Sequence, residues 1–158
     1  MNDFEEPRRN ALRALREMIP PELTRVMVEA DFAGRYEQVC ERHPPRLQSL
    51  AGSQRHAAAL ALQGLGTVHR SPGGNHAITV ADQPAGMVFE VSWRADTRVE
   101  AFLSLSEAEL RCGSNFAILT HAARTHPVSP GKPTHPRPYA ADGDELHAVV
   151  AELLALAV

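Results

Sequence analysis

The chain has 158 residues, 44% of them hydrophobic and 22% charged, with a formal net charge of −3. This is the composition of a globular protein, long enough to bury a core without help from a metal or a disulfide. The weak acidic balance argues against general binding to nucleic acid or to an anionic membrane, since both require a positive surface.

There are two cysteines, Cys40 and Cys112, a number that fits free thiols in the cytoplasm better than a secreted disulfide framework. The opening Met1-Asn2-Asp3-Phe4-Glu5-Glu6 has neither the basic nor the apolar region of a secretory signal. No apolar run approaches the roughly eighteen residues of a membrane span. The expectation is a soluble, cytoplasmic protein. Lys132 is the only lysine among sixteen basic residues; together with abundant alanine, that bias points to GC-rich bacterial coding.

In chain order, the first predicted helix begins near Asp3, where Asp3 and Glu6 have capping-box spacing, and ends at Pro20-Pro21. Pro21 opens a second helix whose stripe is Leu23, Val26, Met27 and Ala30; after a break near Phe32–Gly34 it resumes with Tyr36, Val39, Cys40 and His43. Pro44-Pro45 closes it. A third helical region covers Leu47 to Gln63, with an interruption expected at Gly52, Ser53 as an N-cap and Gly64 and Gly66 as terminators.

The hydrophobic period then changes from helical to two-residue alternation. Thr67–Arg70 and His76–Val80 flank the turn-rich Ser71-Pro72-Gly73-Gly74-Asn75 and predict a hairpin. In Gly86–Trp93, Met87, Phe89, Val91 and Trp93 share one face. In Arg98–Leu105, Val99, Ala101, Leu103 and Leu105 point inward and Glu100 and Phe102 outward. Ser106–Glu109 reads as either a helical turn or more strand. Leu110–Cys112 reads as a short strand, Gly113–Asn115 as a turn and Phe116–Ala122 as the last strand.

Thr125–Pro138 holds five of the twelve prolines. Proline fixes φ and lacks an N–H, so this segment is neither helix nor central strand but an extended surface loop. Finally, Leu146, Val149, Val150, Leu153, Leu154 and Ala157 mark a helix capped by Asp142 or Asp144 and lying across the sheet. The fold class is therefore α+β: N-terminal helices, an antiparallel meander of about five strands and a C-terminal helix packed on it. Residues 1–158 read as one domain, with a helical part at 1–64, a sheet part at 65–122, a Pro-rich loop at 123–141 and a closing helix at 142–158.

Several residue groups carry chemical potential, and each has an ordinary reading beside it. His121, His126 and His135 could supply three nitrogens to a metal, but their spacing matches no ligand signature, and surface histidines in a turn-rich segment explain them as well. Cys40 and His43 share a helix face as a nucleophile–base pair would; their place near the helix C-terminus disfavours thiolate and suits a histidine that compensates the dipole. Cys112 could meet His121 across a ladder. Glu90 and Glu100 share the outer face of adjacent strands, where Arg98 and Arg111 can neutralise them; a salt-bridge ladder explains them better than paired acid–base carboxylates. Ser71–Asn75 lacks the pattern of a phosphate loop. Arg8, Arg9, Arg13 and Arg16 are flanked by Glu5, Glu6 and Glu17 and read as a solvated face.

No motif names a reaction or a family. The leading expectation is a non-enzymatic protein-binding module, chaperone-like or immunity-like, acting without a cofactor on another protein or on a second copy of itself. Its contact residues would be Trp93, Arg94 and outward Phe102 on the sheet, with His126, His135 and Tyr139 from the loop Thr125–Tyr139. The alternatives are a small metal-dependent enzyme or metal-binding protein using the three loop histidines, and a small-ligand sensor with a pocket between the sheet and the closing helix.

Overall fold

Two-residue alternation from Thr67 to Asn115 builds a five-stranded antiparallel meander in the computed structural model. The structure describes residues 19, 21–45, 55–70, 75–80, 87–107 and 110–157. The predicted first helix, Gly52 and Ser53 lie outside the described residues. The strands are β1 (Thr67–Arg70), β2 (His76–Thr79), β3 (Met87–Trp93), β4 (Val99–Glu107) and β5 (Leu110–Asn115), paired in sequence order. Register aligns Phe89 with Leu103, Val91 with Ala101 and Trp93 with Val99. Phe89, Val91, Val99 and Ala101 are thereby buried together on one face. Gly66, at φ 149°, precedes β1 where a Cβ would come within 2.5 Å of the Thr79 carbonyl oxygen. Only glycine lets the chain approach β2 so closely.

Helices cover the apolar face: α1 (Pro21–Glu29), α2 (Phe32–Arg42), α3 (Arg55–Ala61), α4 (Phe116–Ala123) and α5 (Gly143–Ala157). Phe116 sits at the centre of the junction. Its ring lies 5.4 Å from Phe32, 6.0 Å from Tyr36 and 5.6 Å from Phe89, centroid to centroid, in tilted and edge-on arrangements that suit aromatic quadrupoles. α5 buries Leu146, Val149, Val150, Leu153 and Leu154. It packs against α2 and α3 and reaches the sheet at β4. Asp142 caps it, its Oδ1 accepting from the Glu145 N–H at 2.9 Å.

Three expectations need correction. Phe116–Ala122 is helix, not strand. Asn115 Oδ1 accepts from the Ile118 N–H at 2.8 Å, and that N-cap bond starts the helix where the strand ends. The segment is almost continuously apolar, so alternation was no guide; burial of Phe116, Leu119, Thr120 and Ala123 follows the helical period. β5 consequently runs through Gly113–Asn115, which had read as a turn. The break between α1 and α2 falls earlier than Phe32–Gly34. Asp31 adopts a left-handed conformation (φ 53°, ψ 43°), and its carboxylate lies over Gly34, where a Cβ would come within 2.7 Å of it. Of the two readings open at Ser106–Glu109, Ser106-Glu107 takes the strand one and continues β4.

Candidate functional site

The Pro-rich segment after α4 does not hang free. Arg124, at its start, donates to Glu37 Oε1 of α2 through Nε (2.9 Å) and Nη2 (2.6 Å), and through Nη1 to the Thr134 carbonyl (3.0 Å). One guanidinium thus ties the base of the loop to the helix and to its own far strand. Tyr36 donates its hydroxyl hydrogen to the Pro136 carbonyl at 2.9 Å. Arg137 Nε reaches both oxygens of Glu100, at 3.1 and 3.2 Å. Beyond the point where Asn115 pairs with Phe102, the β4 edge is taken over by the returning chain. Val99 N–H donates to the Pro138 carbonyl and Ala140 N–H to the Thr97 carbonyl, both at 2.9 Å.

Between α2 and this segment lies a half-open groove of about 470 Å³. Small side chains make its floor: Ala33, Gly34, Cys40 and Ala123. Pro127, Val128, Pro133 and Pro136 form the opposing wall. Glu37 and Glu41, one helical turn apart on α2, face the loop and meet Arg124 and Lys132 respectively. The two clasps differ. The Arg124 side chain is only 10% exposed, whereas Lys132 and Glu41, 3.1 Å apart, are 61% and 63% exposed. Burial pushes the Cys40 thiol up to about 12, with a smaller lowering from its hydrogen bond to Tyr36. Burial likewise raises the Tyr36 phenol well above its ordinary value. Both groups are protonated at neutral pH.

The expected contact residues are distributed unevenly. His126, His135 and Tyr139 all line the groove. Trp93 is not on the outer face: it packs against the helical core, and its indole N–H donates to the Ala140 carbonyl at 3.0 Å. Arg94 is exposed in the turn between β3 and β4. Phe102 points to the opposite side of the sheet, half-buried. Trp93 and Phe102 therefore lie on opposite faces of the sheet.

Two of the three histidines come together. His121, on helix α4 rather than across a ladder from Cys112, has its ring 4.9 Å from that of His135. No group of three or more His, Cys, Asp or Glu among the described residues is arranged to hold a metal ion. His43 turns away from Cys40; its Nε2 lies 2.7 Å from Glu152 and its Nδ1 3.5 Å from Glu145, both on α5. Glu90 lies opposite Phe102 and accepts from Asn75, while Glu100 lies opposite Ser92 and meets Arg137 and Arg98. The side chain of Arg111 is outside the described residues. Arg98 was expected at Glu100. Arg137, Arg124, Glu37 and Glu41 were not foreseen, because ion pairs spanning 37 to 91 residues leave no periodic trace in sequence.

No helix among the described residues is long and apolar enough to cross a membrane. No protein-family model, curated protein or solved structure gives a significant match to this chain.

Proposed function

We propose that the protein is a non-enzymatic binding module of the chaperone-like or immunity-like kind, and that it engages a partner protein through the groove between α2 and the Pro-rich segment. The observation that carries this reading is the groove itself: about 470 Å³, walled by a segment whose prolines and base clasps hold it ready-shaped. A surface ordered in advance loses little entropy on association. The state of the local side chains supports binding over nucleophilic chemistry. The Cys40 thiol, raised to about 12, offers almost no thiolate at neutral pH, and Glu37, Glu41 and Glu100 are each committed to a cation.

The test uses Lys132, the only lysine in the sequence, which lines the groove. An amine-reactive, photoactivatable crosslinker attached there is irradiated with extract of the native host. A partner joined through Lys132, and no longer co-purifying when the residues of Thr125–Thr134 other than Lys132 are replaced by Gly and Ser, is the expected result. A partner that co-purifies with the unmodified protein, yet never crosslinks to Lys132 and survives the loop replacement, overturns the reading.

A further inference from the structure

The charges around the groove do not cancel locally. At one end lies Asp31, exposed at the start of α2, with no cation of the described residues within salt-bridge distance. At the other end the Glu100 carboxylate serves two guanidinium groups. Arg137 takes both of its oxygens, and Arg98 Nε lies 3.4 Å from Oε1. One negative charge thus faces two positive ones, and Arg98, whose side chain is 37% exposed, lines the groove. Between the two ends Glu37 and Glu41 are paired with Arg124 and Lys132, and the rest of the lining is mostly small or apolar, with His126 and His135 on the loop side. The groove is therefore negative at the Asp31 end, neutral and apolar in the middle, and positive at the Arg98 end.

Its length follows from the helix that floors it. Arg98 bridges Tyr139, whose N–H donates to the His43 carbonyl at the C-terminal end of α2. The backbones that carry the two charges are thus separated by about the length of this 11-residue helix, ~16 Å at 1.5 Å per residue. An extended chain rising ~3.3 Å per residue spans that distance with about five residues. At each proline the wall lacks an N–H, so donors to it must come from the occupant, and a polypeptide backbone carries them.

Resting on the reading of the groove as the binding surface, we infer that its occupant is an extended peptide segment with a basic residue at one end, an acidic residue four positions away and apolar residues between. The cation lies against Asp31 and the anion against Arg98.

Three fluorescein-labelled, acetylated and amidated peptides test this by fluorescence polarisation: Lys-Val-Leu-Val-Glu, the neutral Gln-Val-Leu-Val-Gln, and Lys-Glu-Val-Leu-Val, which keeps the charges but closes their spacing. The spaced peptide binds at least about fivefold more tightly than the other two, as expected for two partly exposed charge contacts. Asp31→Asn and Arg98→Gln each remove most of that advantage while leaving the affinity for the neutral peptide unchanged. Asparagine tolerates the left-handed backbone of Asp31, so that variant folds even where Arg98→Gln disturbs β4. Equal affinity for all three peptides, or an advantage indifferent to both substitutions, overturns the charge pattern. Absence of binding by any peptide also overturns it. In either case the crosslink at Lys132 judges the groove separately: a groove-dependent crosslink sustains the broader reading, and its failure ends both.

Discussion

The aromatic junction beneath the sheet and the Pro-rich segment beside it are neighbours held by different forces. Phe32, Tyr36, Phe89 and Phe116 exclude water and interlock ring against ring. The Pro-rich segment has few buried apolar side chains and is fastened at discrete points, by Arg124, Arg137, Tyr36 and Lys132. Dispersed apolar contact resists any single polar insult but fails where volume is removed. Point fastening permits an open, solvent-filled groove, and its strength depends on how dry each fastener is. The difference explains how the protein carries a cavity of this size next to a closely packed core.

The contrast can be broken at its strongest point first. Phe116→Ala removes the ring that touches three others and should cost about 3–5 kcal/mol, read as a lowered urea midpoint with little dependence on salt. Arg137→Leu comes next. It leaves the Glu100 carboxylate, whose side chain is 9% exposed, with Arg98 as its remaining cation, for a loss of about 2 kcal/mol, less than the cost of stripping a buried charge of every partner. Mild alkali supplies a smaller perturbation. The Cys40 thiol ionises at about 12 in the folded chain and near 9.0 when unfolded. The unfolded state therefore binds fewer protons above pH 9. Stability is full below that pH and is lost as pH rises from 9 toward 12, at up to about 1.4 kcal/mol per unit. Between pH 9 and 10, denaturation of the Cys40→Ala variant should show a flatter slope than the parent. Lys132→Ala should change global stability by no more than about 0.5 kcal/mol, because its pairing with Glu41 is exposed; equilibrium denaturation in low salt would reveal any larger effect and with it a stronger clasp than the geometry allows.

Much of the architecture was legible because one face of each regular element meets the core. Phe89 and Val91 alternate with Val88 and Glu90, and only one strand register buries the first pair. The closing helix was equally plain, since Leu146, Val149, Val150, Leu153 and Leu154 hold a helical period flanked by an Asp cap. Phe116–Ala123 was misread where that logic loses its contrast: with apolar residues at nearly every position, neither period stands out. Asn115 was the one local cue, and a cap weighs only about 1 kcal/mol against a preceding strand pattern. The groove was half legible. Prolines announced a fixed loop, but its position against α2 depends on Arg124 finding Glu37, 87 residues earlier in the chain. Trp93 shows the opposite failure. Its inward alternation was readable, and a preference for tryptophan at interfaces obscured it.

The indole of Trp93, the only tryptophan in the sequence, spans the joint between the end of β3 and the chain entering α5. Its intrinsic emission is therefore an optical gauge of that seam. Loss of the bond to Ala140 would wet the ring and move the emission to longer wavelength, so separation of the closing helix from the sheet can be followed in real time without a label.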